Sequence, residues 1–162
     1  MPTNFEKVQE FNNAFEMRVN KEPNRKIFTE DPDNVHLALS LIREEVKELE
    51  DAVKDHDFGE VRDAVSDILY VVYGLAHRFG FDADSDFAEV HNSNMSKLCT
   101  SEEEAKSTVK SYETKFNNKE SKYDSPYYYK VTNAKGEDRW LVKNKSTGKA
   151  LKSINYTPVD FD

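Results

Sequence analysis

Apolar residues recur at three- and four-residue spacing through most of the chain and switch to strict alternation only near its C-terminal end. Phe5, Val8, Phe11 and Phe15 predict a helix over 4–18. Pro23 and Pro32, set among charged residues, predict a loop over 19–32. A second helix starts near Asp33 or Asn34, either of which suits an N-cap. Val35, Leu39, Ile42, Val46, Leu49 and Val53 form its apolar stripe. After a turn over 54–59 a third helix runs from about 60 to 79. It is apolar nearly all round through Val65, Ile68, Leu69, Val71, Val72, Leu75 and Phe79, the pattern of a helix at the centre of a bundle. Gly80 ends it. Asp84 or Ser85 then caps a fourth helix reaching Leu98, and Thr100-Ser101-Glu102-Glu103-Glu104 offers a capping box for a fifth. From Tyr127 the period drops to two: 127–132 and 139–144 flank a turn and predict a β-hairpin, with a third short strand over 149–152. The Lys/Asn/Ser-rich stretch 115–125 reads as a mobile connector. The fold class expected is mainly α.

The composition fits this picture. The chain has 162 residues, 37% hydrophobic and 12% aromatic, enough for one domain with a real core and a small appendage. No apolar run reaches the ~18 residues that span a bilayer, so no membrane partner is expected. The N-terminus lacks the basic-then-apolar pattern of a signal peptide. The lone cysteine, Cys99, cannot form an internal disulfide, which points to a reducing, cytoplasmic compartment. Net charge is −8, unevenly spread: residues 1–99 hold 21 acids and 11 bases (−10), residues 100–162 hold 10 and 12 (+2). An acidic body argues against duplex nucleic acid. It does not argue against a small phosphorylated substrate if a metal ion inverts the local field.

The chemistry is carried by acids on the second and third helices. Glu45 and Glu48 are i,i+3 neighbours, Glu44 and Glu48 i,i+4, and Asp63 and Asp67 i,i+4. Like charges at these spacings cost a helix a few tenths of a kcal/mol per pair. Glu45 and Glu48 flank the apolar stripe, and Asp67 directly precedes an apolar run. A solvated helix face accounts for the glutamates alone. An acid on a helix expected to be buried needs a cation, either an arginine (Arg62 and Arg78 are nearest) or a metal. Carboxylates converging from two helices suit a hard divalent ion, Mg²⁺ or Mn²⁺.

Other constellations are weaker. His91, Asn94 and Lys97 (with Ser93) can share a helix face and offer donors to phosphate or base; a polar helix end is the plainer account. Tyr127, Tyr128, Tyr129 and Trp140 form either a stacking surface for single-stranded nucleic acid or hairpin packing, the commoner use. No HExxH, paired Glu-x-x-His, Walker-A loop or GxGxxG is present. Cys99 has no activating neighbours in sequence and reads as structural.

Glu45-Val46-Lys47-Glu48, extended by Glu44, followed by Asp67 some 20 residues on, resembles the ExxE…ExxD signature of the all-α nucleoside triphosphate pyrophosphohydrolases, the MazG-like and dimeric dUTPase superfamily. The residue three before Asp67 is Ala64 rather than Glu; Asp63, one position earlier, lies on the adjoining part of the same face. The stretches 67–74, 87–97 and 148–158 are similar, in order, to a phage-like subgroup. The resemblance covers 1–99 and 148–162 and implies an all-α NTP pyrophosphatase bundle over 1–99. Residues 100–147 would form a helix-plus-hairpin insert, and 148–162 a tail packing on the bundle. It further implies Mg²⁺-dependent cleavage of a (d)NTP to the monophosphate and pyrophosphate, in nucleotide-pool control, by a homodimer or homotetramer in the cytoplasm (host cytoplasm for a viral protein). Glu44, Glu45, Glu48, Asp63 and Asp67 would hold metal, with Glu44 or Glu45 as base. Asn94, Lys97, His91 and Tyr73 would bind substrate. The competing expectation is a non-catalytic nucleotide-binding or scaffold protein whose metal site has decayed at Ala64.

Overall fold

The computed structural model describes residues 1–161. Among these, six helices precede an antiparallel hairpin: α1 (Asn4–Ala14), α2 (Ile27–Glu30), α3 (Pro32–Lys54), α4 (Phe58–Phe79), α5 (Ala83–Met95), α6 (Glu102–Asn117), β1 (Pro126–Thr132) and β2 (Asp138–Asn144). The chain divides into two units, Met1–Asp86 and a second beginning at Phe87. The boundaries expected at 99 and 147 therefore do not separate units: residues 87–99 and 148–161 fold with the hairpin.

The first unit is built on the α3–α4 pair. Asp31, not Asp33 or Asn34, caps α3: its carboxylate accepts from Asn34 N–H at 3.3 Å, and Pro32 takes the first helical position, where its missing N–H costs nothing. Asp57 caps α4 by accepting from Gly59 and Glu60 N–H at 2.9 and 3.1 Å, so that helix starts two residues earlier than the pattern suggested. Only Asp55, His56 and Asp57 join the two helices, and so short a link makes them antiparallel neighbours.

α1 lies on α4 and ends at Ala14, short of the expected 18, because Glu16 takes a left-handed conformation, φ 55°. Phe5 stacks on His77 with ring centroids 3.8 Å apart, and His77 Nε2–H donates to Phe5 O at 2.8 Å. The segment expected to be wholly loop, 19–32, contains α2 and crosses the end of α4. There Asn20 N–H donates to His77 O (2.8 Å) and Asn24 N–H to Phe79 O (2.9 Å). Gly80 closes α4 at φ 83°, and a Cβ there would lie 2.0 Å from Glu22 O. The position thus needs glycine for its backbone angle and for the close crossing strand alike.

α4 is not enclosed as its composition suggested. Val65, Leu69 and Val72 are exposed on it, as are Leu39, Val46 and Val53 on α3.

The second unit has its own core of Cys99, Ala105, Val142 and Leu151, with Val109, Tyr112, Tyr123, Tyr128 and Trp140 packed around it. Ser101 caps α6 by accepting from Glu104 N–H, while Glu104 accepts from Thr100 N–H and Oγ1–H, a capping box displaced by one residue. α5 ends at Met95 rather than Leu98. β1 pairs with β2 from Pro126↔Asn144 to Thr132↔Asp138. The third strand reduces to a single bridge, Lys143↔Ala150. Alternation sends Tyr128 and Trp140 toward the core, and Tyr127 stacks on Tyr129 (5.9 Å, 24°) on the open face. The stretch read as a mobile connector is tied down. α6 runs through to Asn117, and Asp124 accepts from Ser125, Asn144 and Ser146 side chains.

Candidate metal and nucleotide site

The α3–α4 turn centres on His56, so residues equally far before and after it lie level on antiparallel helices. Glu45 and Asp67 are each eleven residues from His56, and Glu48 stands level with Ala64, next to Asp63. Glu45 and Asp67 are half-buried; Glu44, Glu48 and Asp63 are exposed. Burial pushes the Glu45 carboxyl above the usual glutamate range. The charges of Glu48, Asp67, Glu44 and Asp63 push it further in the same direction. All five sequence-predicted acids therefore act at one place. None of the five forms an ion pair or hydrogen bond among the described residues. Lys47, the nearest lysine in sequence, turns instead to Asp51 at 2.5 Å.

Neither arginine considered as a mate for Asp67 serves it: Arg78 sits eleven residues further along α4, near Asp31. Ala64 is buried, at 4% exposure. Asp63, at the neighbouring position, is exposed and carries the charge instead.

As they stand, no three His, Cys, Asp or Glu side chains among the described residues lie close enough together to hold a metal ion. The donor set is nonetheless the kind a hard cation takes: carboxylate oxygens only, mutually repelling, without a protein cation. Glu44, Glu45, Glu48, Asp63 and Asp67 are the residues that fit it.

The substrate-binding candidates fall in different places. Tyr73 lies six residues beyond Asp67, on another side of α4. Its ring meets Phe5 at 5.9 Å, and burial followed by the adjacent Asp84 raises its phenol above the usual range. Asn94 and Lys97 belong to the second unit, where Lys97 Nζ donates to Asn94 Oδ1 at 2.7 Å. His91 is exposed in the same unit. Ser93 is buried, donating to Thr157 O at 2.8 Å, so it anchors the C-terminal segment rather than a ligand.

Residues 8–94 match the family described as phosphoribosyl-ATP pyrophosphohydrolase, and the chain belongs to that family, within the MazG-like all-α superfamily. It is a family of pyrophosphohydrolases, which sets hydrolase chemistry as the coarse assignment. The chain is also similar to the uncharacterized protein L479 of Acanthamoeba polyphaga mimivirus, at 29% identity over 98% of this chain and 94% of that one. No helix among the described residues is long and apolar enough to cross a membrane.

Proposed function

We propose that the protein is a Mg²⁺- or Mn²⁺-dependent nucleoside triphosphate pyrophosphohydrolase, converting a (d)NTP to the (d)NMP and pyrophosphate. The observation that carries this reading is the convergence of four unpaired carboxylates on Glu45 from both helices of one hairpin, within a pyrophosphohydrolase family match. The ion, when bound, offsets carboxylate repulsion and stabilises charge on the triphosphate and leaving group. Glu45, Glu48, Asp63 and Asp67 hold it.

One of the adjacent glutamates, Glu44 or Glu45, takes the proton of the attacking water. The water oxygen bonds to the α-phosphorus, the α–β bridging bond breaks, and its electron pair leaves with pyrophosphate.

A second copy of the chain covers the apolar stripes Leu39/Val46/Val53 and Val65/Leu69/Val72, giving a homodimer or homotetramer. A lone free thiol suits a reducing cytoplasm, the host's for a viral protein.

The test is pyrophosphate release from a panel of dNTPs with and without Mg²⁺. Metal-dependent release lost in Glu48→Ala is the expected result. Absence of release from every nucleotide, or turnover unchanged in Glu48→Ala, would overturn the reading in favour of a non-catalytic scaffold.

A further inference from the structure

Arg78 is 4% exposed, yet its guanidinium makes no hydrogen bond or ion pair among the described residues. The carboxylate acting on it is Asp31, and Asp31 is already engaged by Arg18 Nη1 at 2.5 Å and by the Asn34 amide at 3.2 Å. A buried guanidinium carries five donors and cannot lose its charge. Without a protein partner these donors rely on the little solvent that reaches them, and they are not sealed off: among the described residues the buried side-chain atom without a partner is Asn12 Nδ2.

Those donors border a cavity of about 360 Å³, lined by Met17, Arg18, Asp33, Asn34, Leu37 and Arg78. That volume lies in the range of about 300–1,000 Å³ usual for small-molecule sites. The lining is mixed: apolar Met17 and Leu37 stand among Arg18, Asp33, Asn34 and Arg78.

The cavity also has a fixed relation to the carboxylates. Asn34 is eleven residues before Glu45, Leu37 eleven before Glu48, and Arg78 eleven after Asp67. Eleven residues is three helical turns to within a fraction of a residue, a rise of about 16 Å. The cavity residues therefore lie on the same faces of α3 and α4 as the acids, three turns along the hairpin. The nucleotide from base edge to α-phosphorus, together with the side chains that hold its two ends, would have to span that offset.

We propose that this cavity is the base subsite and that Arg78 reads a base edge carrying two adjacent acceptors, the pattern guanine presents at N7 and O6. This assignment rests on the pyrophosphohydrolase reading for the position of the triphosphate. A guanidinium fork matches that acceptor pair bidentately, at about 1–3 kcal/mol of discrimination, on the order of 5- to 150-fold. Asp33 supplies an acceptor for the N2 amino group that guanine also carries, and Met17 and Leu37 supply apolar contact for the ring.

The experiment is calorimetric binding of dGMP, dAMP, dCMP and dTMP to the full-length protein, run alongside pyrophosphate release from the four dNTPs. Two variants are used: Arg78→Met, which keeps the apolar stem, and Leu37→Trp, which fills the cavity from an exposed position. The expected result is at least roughly fivefold tighter dGMP than dTMP binding, a ratio near one in Arg78→Met, and weakened binding of every monophosphate in Leu37→Trp. If Arg78→Met does not fold, Leu37→Trp decides.

A wild type without base preference, or dGMP affinity unchanged in Leu37→Trp, overturns the proposal. So does a preference kept in Arg78→Met. Arg78-dependent dGMP binding without pyrophosphate release from any dNTP overturns the hydrolase reading and leaves the cavity assignment standing. Release with equal kcat/KM for all four bases in wild type and Arg78→Met does the reverse.

Discussion

Asp67 and Asp124 are both aspartates beside well-ordered elements, and the two units treat them in opposite ways. Asp124 accepts from Ser146 Oγ at 2.5 Å, Ser125 Oγ at 2.9 Å and Asn144 Nδ2 at 3.2 Å. The Ser146 contact, before those of Ser125 and Asn144, holds its carboxyl below the usual range. Asp67 accepts no hydrogen bond among the described residues, and its charge helps push the Glu45 carboxyl up. The same contrast holds unit against unit. In the second, buried Asn144 gives its amide to Asp124, Ser146 and Thr147, and Glu104 accepts from Ser153 Oγ and Thr100. In the first, Glu44, Glu45, Glu48, Asp63 and Asp67 have no ion-pair or hydrogen-bond partner among the described residues, and apolar side chains of α3 and α4 face outward. A unit whose polar groups satisfy one another is finished as a structure. One that leaves like charges together and apolar stripes open keeps unmet electrostatic and apolar surface, which the proposed metal ion and second copy would take up.

The sharpest way to break this contrast is to remove one acid from each unit. Glu48→Ala should lower metal-dependent pyrophosphate release on the order of 10²–10³-fold or more, with circular dichroism unchanged. Glu104→Ala should leave turnover intact and instead lower the melting temperature, because Thr100 and Ser153 lose their acceptor.

Next comes the core of the second unit. Leu151→Ala, at a site 2% exposed, should cost about 2–5 kcal/mol, read by denaturant unfolding. Asn144→Ala should follow at about 1–3 kcal/mol, since it strands the groups it now pairs. A loss well below 1 kcal/mol for either would show that the second unit is not self-sufficient.

The smallest effects have the opposite sign and concern the first unit. Without metal, Glu48→Ala should raise stability by a few tenths of a kcal/mol, about a degree in Tm. Glu45 gives the matching pH dependence. Its folded pKa lies above the unfolded value, so the native state binds its proton more readily. The resulting stabilisation is fully present below the unfolded glutamate pKa and is lost as pH rises through the raised one. Glu45→Gln should flatten that slope. Mg²⁺ should do so too, and a slope unaltered by either would remove the carboxylate cluster as its source.

Much of this was legible in the sequence. Periodicity placed five of the six helices and the hairpin, and the ExxE spacing with Asp67 located the acids, because helical repeat and charge repulsion are local properties. The misses were non-local. Glu16 and Asp31 moved helix ends by backbone conformation and by a cap that spacing could not single out. The 115–125 stretch looked loose until Asn144, some twenty residues away in sequence, supplied its anchor. The apolar circumference of α4 was read as burial, whereas one chain leaves part of it open. Arg78 looked like a mate for Asp67, although eleven residues along one helix already put it three turns away.

Cys99 turns the second unit into its own reporter. It is the sole thiol of the chain, wholly buried in that unit's core, with Sγ 3.6 Å from Thr108 Oγ1 and its ionisation pushed up by burial. A thiol reagent therefore has one target, and that target reacts only when the core opens. The rate of modification measures how often the second unit unfolds, in a single-site assay that needs no engineered label. Following it while nucleotide or Mg²⁺ is added shows whether events at the carboxylates of the first unit are felt in the other.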